Sequence, residues 1–134
     1  KMSKSYDNAI YLSDSPEAVE QKLMTMMTDP ARKRRTDKGT PELSPVFQLH
    51  KIFSSEEEQD EVAEGCRTAG IGCIDCKKIL IKNIFKALEP IWQKRSKLIA
   101  NPKTVTEIIE KGTEKARKAA EETMVSVREA MGLG

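Results

Sequence analysis

Three cysteines, Cys66, Cys73 and Cys76, share an eleven-residue window with the spacing C-x6-C-x2-C. Two thiolates three positions apart can close on one metal ion, and Gly65, Gly70 and Gly72 let the backbone fold round it. A metal site at residues 66–76, zinc or iron–sulfur, is the reading preferred here. The alternative is three small buried side chains at a helix junction, because free cysteine packs well. A closed site takes four ligands, and only three cysteines are present. The single histidine, His50, lies beside an apolar stripe and reads as structural. Ser44 and Asp75 are poorer ligands by chemistry. A second group stands at the start of the chain: Lys1, Met2, Ser3, Lys4 and Ser5. Two ammonium groups flanked by hydroxyls suit a loop that grips a nucleoside triphosphate, because mobile cations neutralise charge as it moves onto the leaving phosphates. Serine hydroxyls supply hydrogen bonds without bulk.

Charge is segregated along the chain, although the net charge is only +2. Residues 30–38 carry Arg32, Lys33, Arg34, Arg35 and Lys38 against Asp37 alone. Residues 56–64 carry Glu56, Glu57, Glu58, Asp60, Glu61 and Glu64 and no base. Residues 77–97 return to seven bases and one acid. Two basic blocks with the acids elsewhere suit a polyanion such as RNA, against the plainer reading of solvated helix faces. Arg32, Arg34, Arg35, Arg67 and Lys77 are the candidate RNA contacts. The longest aliphatic run, Ile79-Leu80-Ile81, is far short of a membrane span. Three unpaired cysteines argue against a disulfide scaffold and point to the cytoplasm.

The elements that must position these groups read as helices throughout. At 134 residues and 38% hydrophobic, the chain can bury one core. Aromatic residues are 4%, so that core must be aliphatic. Ser13, Asp14 or Ser15 caps a first helix with Pro16 in its first turn and Val19, Leu23, Met26 and Met27 as its stripe. Asp29-Pro30 should end it. Ser44-Pro45 opens a second helix through Phe47, Leu49, Ile52 and Phe53. Ser54 or Ser55 caps a third, with acids in its first turn, and the segment 70–72 stops it. A fourth begins near Asp75, with Pro90 expected to kink it. Asn101-Pro102 opens the last and longest, where Val105, Ile108, Ile109, Gly112, Ala116, Ala119, Ala120, Thr123, Val127 and Met131 share one face. The expectation is an all-α bundle of about five helices, with that last stripe as core.

The strings that carry family information run in order. They are the 1–5 loop with Tyr6 and Asn8, Asp29-Pro30-Ala31-Arg32 with Arg34-Arg35-Thr36-Asp37, Pro41-Glu42, Pro45-Val46 with His50, and the segment 65–77 with its three cysteines. Together they resemble the C-terminal part of bacterial tryptophanyl-tRNA synthetases, class I enzymes, of the iron–sulfur type. The resemblance implies residues 1–12 as a loop left over from a Rossmann catalytic domain and residues 13–134 as a helical anticodon-binding domain. It implies a homodimeric enzyme that activates tryptophan with ATP and transfers it to tRNA(Trp). Lys4 would contact the ATP phosphates and stabilise the developing pyrophosphate, and this chain alone, lacking most of the active site, would not be catalytic. It also implies a [4Fe-4S] cluster held by a cysteine before Pro45-Val46 and the three-cysteine run. Here Ser44 stands in the first place, so serine, an outside ligand or an empty thiol site are the alternatives. Two rivals remain: a helical iron–sulfur or zinc protein with a redox or structural role, and a helical interaction module using the last helix.

Overall fold

The computed structural model describes residues 3, 6 and 8–133. Five α-helices follow one another: α1 Pro16–Thr25, α2 Pro45–Phe53, α3 Glu56–Arg67, α4 Cys73–Ala100 and α5 Pro102–Ala130. A 3-10 turn, Pro41–Leu43, precedes α2, and the described residues contain no strand. The expected all-α architecture is present. The chain divides into two compact units, residues 1–93 and 94–134.

In the first unit α4 is the central element. Leu80, Ile81, Ile84 and Leu88 pack with Val19 and Leu23 of α1 and Val46 of α2. A second cluster joins Phe47 of α2 to Val62 and Ala63 of α3, with Ile71, Cys76 and Ile79 at its margin. Adjacent residues of α2, Val46 and Phe47, thus serve both clusters. The helix starts are specified locally. Ser15 Oγ accepts from Ala18 N at 3.3 Å. Ser55 and Glu58 form a reciprocal capping box, each bond 3.3 Å.

Several boundaries differ from the sequence expectation. Helix α1 ends at Thr25, ahead of Asp29-Pro30, so Met26 is its C-cap and Met27 lies beyond it. Helix α4 begins at Cys73 rather than near Asp75, and it runs unbroken through Pro90. Cys66 is in the last turn of α3, so the cysteines occupy two helix ends and not a free turn between them. Gly65 in the last turn of α3 and Gly70 and Gly72 beyond it surround the turn, yet the left-handed residue is Ala69, at φ 61°. Such a conformation costs an alanine about 1 kcal/mol. Glycine works instead by close approach: a Cβ on Gly65 would sit 2.9 Å from Ile71 Cγ2, so the returning loop lies directly on α3.

The second unit holds residues 94–100 of α4 and all of α5. No residue of α5 is buried. Its apolar stripe, expected as core, is exposed: Ile108 and Ile109 are 60% and 61% accessible. The 3–4 spacing marks a face that a neighbour could cover, but spacing alone does not say that this chain covers it.

Candidate functional site

The basic loop is built by two aspartates and one buried arginine. Asp29 Oδ1 accepts from Ala31 N at 2.9 Å and its Oδ2 from Thr40 N at 2.7 Å. These backbone bonds, Thr40 first, hold the Asp29 carboxyl below the usual carboxylate range. Asp37 Oδ2 accepts from Lys33 N at 3.0 Å and Arg34 N at 2.7 Å. Arg32 is 8% exposed. Its Nη2 donates to the Arg35 carbonyl at 3.1 Å and to the Ile71 carbonyl. A guanidinium suits this work because its donors form a rigid planar fork. Arg32 therefore ties the basic loop to the residues just before α4.

The result is an open pocket of about 400 Å³ between that loop and the first turn of α4. Lys33, Arg34 and Arg35 line one side, and Cys73, Ile74 and Asp75 the other. Lys33, Arg34 and Arg35 are all exposed. Ile74 is 58% exposed beside them. In the sequence the arginines stand out by their basic block, whereas Ile74 is marked only as an apolar residue off the buried stripe of α4. The pocket offers mobile cations to phosphates and an apolar ledge to a base.

The other candidate contacts lie differently. Arg67 is exposed and bonds Glu42 at 2.6 Å, and it does not line this pocket. Lys77 is 7% exposed, and its Nζ donates to the carbonyls of Met24 at 2.7 Å and Met26 at 2.6 Å. Burial pushes its pKa down, against a smaller upward influence of Cys73 and Cys76. Lys77 closes the C-terminus of α1 from across the fold, and its ammonium faces inward. Arg32 is likewise interior, so only Arg34 and Arg35 of the five present a free charge to solvent.

The three cysteines do converge. Cys66, Cys73, Cys76 and Ser44 line one small cavity with Asp29 and Arg32. A Cβ on Gly39 would lie 2.7 Å from Cys66 Sγ, so only glycine lets the loop close over that thiol. Ser44 is buried at the N-cap of α2 and makes no side-chain capping bond. Arg32 Nη1 lies 3.9 Å from Cys66 Sγ, and its Nε has no hydrogen-bond partner among the described residues. The donor chemistry is that of a metal site, but the dimensions are not. The cavity volume is about 20 Å³, enough for one water molecule. Among the described residues no three His, Cys, Asp or Glu side chains stand close enough to hold an ion. Burial pushes the Cys66 thiol up and the Cys76 thiol up to about 12, so Cys76 is a neutral thiol at pH 7. In this arrangement the residues do not fit a four-iron cluster.

His50 is fully buried behind the cysteines. Its Nε2 faces the Cys76 carbonyl at 3.2 Å and Cys76 Sγ at 3.4 Å. Its Nδ1 lies 2.7 Å from Ser54 Oγ. Of the opening loop only Ser3 is described, its N–H donating to Asn8 Oδ1 at 2.6 Å. Lys1, Met2, Lys4 and Ser5 lie outside the described residues. No described helix is long and apolar enough to cross a membrane.

Comparison with known proteins follows the same outline. Residues 1–89 match the family described as tRNA synthetases class I (W and Y). The chain is 52% identical over 134 residues to a tryptophan–tRNA ligase of Thermotoga maritima, covering 99% of this chain and 41% of that protein. It is 46% identical to one of Ralstonia nicotianae, covering 99% of this chain and 33% of that one. In structure it resembles the tryptophanyl-tRNA synthetase of Campylobacter jejuni solved with ADP and tryptophan. There the TM-score is 0.86 at 29% identity, over 99% of this chain and 41% of that one. The chain thus spans about two fifths or less of the length of these curated relatives.

Proposed function

We propose that this chain, which belongs to the class I tRNA synthetases for tryptophan and tyrosine, is the anticodon-binding part of a tryptophan–tRNA ligase. The observation that carries the reading is the basic pocket at the head of α4, on a chain that aligns over 99% of its length with such ligases. That alignment also favours the ligase over a stand-alone redox protein. On this reading the whole enzyme activates tryptophan with ATP and transfers it to tRNA(Trp), as a homodimer in the cytoplasm. Lys1, Met2, Ser3, Lys4 and Ser5 form the loop over the ATP phosphates, with Lys4 stabilising the departing pyrophosphate. Arg34 and Arg35 take backbone phosphates, Ile74 packs against a base, and Arg67 contacts the strand from its pair with Glu42. Arg32 and Lys77 hold the pocket's walls from inside.

The test is salt dependence. Changing Arg34 and Arg35 together to alanine should weaken tRNA(Trp) binding about tenfold at 0.15 M salt and lower the slope of log K against log salt by about 2. A slope equal to the parent's would remove both residues from the interface.

The iron–sulfur assignment that the resemblance implies is the finer proposal, and the function does not rest on it. Cys66, Cys73 and Cys76 would be its ligands, with Ser44 in the fourth place and the thiols drawn apart to admit it. Three thiols and a hydroxyl should hold such a cluster weakly. Anaerobically reconstituted protein is expected to carry less than a full complement of iron and sulfide, and the Ser44→Cys variant to carry more and lose it more slowly to a chelator. Equal metal content in both would sink the assignment of position 44.

A further inference from the structure

We propose that a second groove, between the start of α3 and the middle of α4, takes one nucleotide of a single-stranded RNA. The inference rests on the RNA-binding reading above but uses none of the same residues. The groove is open, about 660 Å³ in volume, and lined among others by Glu58, Lys82, Phe85, Lys86, Glu89 and Trp92. That size suits a nucleotide-sized ligand.

Each chemical part of a nucleotide meets a matching group. Lys82 and Lys86 are one helical turn apart on α4 and exposed. Neither forms a salt bridge with a described residue. Two unpaired ammonium groups side by side suit a phosphate. Trp92 is half-buried, with Phe85 packed edge-on against it at 5.6 Å between centroids. Its indole Nε1 is buried and has no acceptor among the described residues. Trp92 packs against the core on one side and lines the groove on the other, and the part of an indole that faces a groove is a stacking surface for a base.

The carboxylates make the ligand more specific than a bare anion. Glu58 is already committed: its Oε2 accepts from Asn83 Nδ2 at 2.6 Å and from Ser55 N at 3.3 Å. Among the described residues Glu89 has only a long bond, 3.3 Å, from Gln93 Nε2. An available carboxylate would repel a phosphate but accepts from the exocyclic amine of a base, as acidic side chains do from cytosine. The ligand class is thus a nucleotide with an amino-bearing base. Ile74 and Lys86 are twelve residues apart on α4, roughly 18 Å along its axis, so the two sites are separate.

Trp92 is the only tryptophan of the chain, so its emission reports this groove directly. Titrating the protein with oligocytidine should quench Trp92, and oligouridine of equal length should bind several-fold more weakly. Lys82→Ala with Lys86→Ala should abolish the quench and lower the salt slope by about 2. Glu89→Gln should bring the two oligonucleotides to equal affinity, and matching far-UV spectra would show the variants folded. RNA binding that depends on Arg34 and Arg35 while Trp92 emission stays constant overturns the groove and leaves the wider reading standing. No RNA binding by either readout overturns both. A change in Trp92 emission with protein concentration alone would mean a second copy covers the groove, and the nucleotide site would fall.

Discussion

Replacing Lys77 by methionine should lower the unfolding free energy by about 2–3 kcal/mol, the scale of hydrogen bonds made by a charged donor. Methionine keeps most of the buried stem and removes only the ammonium. The two carbonyls it leaves, Met24 and Met26, stand at the C-terminus of α1. Helix-end carbonyls lack intrahelical partners, and these two are capped by a side chain 53 and 51 positions away in sequence. The expected loss is moderated because the ammonium is already partly desolvated, as the downward pull on its pKa records. Lys78, its exposed neighbour, supplies the control: Lys78→Met should shift stability by no more than about 0.5 kcal/mol. Urea denaturation of the two variants decides the matter, and equal midpoints would show that the cross-fold cap contributes nothing. Tested under conditions where it is folded, Lys77→Met should keep the parent's salt slope for RNA, since its charge faces inward.

Lys77 also shows what sequence could and could not tell. Type and neighbourhood are legible in a string: a lysine in a basic block beside cysteines reads as an RNA contact. Its direction is not, because that depends on where α1 ends, and α1 ends four residues before the Asp29-Pro30 signal. Arg32 is a parallel case. It differs from Arg34 and Arg35 by nothing in its local string, yet Asp29 and Asp37 fold the loop so that it alone points inward. Helix existence was legible because each start carries its own signal: the Ser15 cap with Pro16 for α1, Pro45 for α2 and the Ser55 cap with its acidic first turn for α3. The core was legible where stripes face one another, as in α1 and α4. It failed for α5, whose stripe has the right period and no buried residue. The convergence of Ser44 with the cysteines was visible only through the family resemblance, since 22 residues of sequence separate Ser44 from Cys66. Ala69 escaped notice because three nearby glycines offered a cheaper explanation of the turn.

His50→Leu should cost about 2–4 kcal/mol, because it breaks a hydrogen-bond relay that joins three helices. The direction of that relay can be worked out. The Cys76 carbonyl can only accept, so His50 Nε2 carries the proton. His50 Nδ1 must then accept, and the Ser54 hydroxyl donates to it. Ser54 Oγ accepts in turn from Asn83 Nδ2, which also donates to Glu58 Oε2. The relay thus links α2 through Ser54 to Asn83 and Cys76 of α4 and Glu58 of α3. Burial lowers the His50 pKa, outweighing the raising effect of Cys76 and Glu58, so the neutral ring that this pattern requires is the favoured one. Leucine fills a similar volume but takes from the half-buried Cys76 carbonyl and Ser54 hydroxyl the partner that His50 supplies from a fully buried position. Unmade buried bonds carry the desolvation penalty in full, which is why the expected loss exceeds that of an ordinary hydrogen bond. His50→Gln retains an N–H donor for Cys76 and should lose less than half as much. Denaturation of the parent and both variants separates the possibilities: if leucine and glutamine are equally damaging, shape rather than the relay holds this junction.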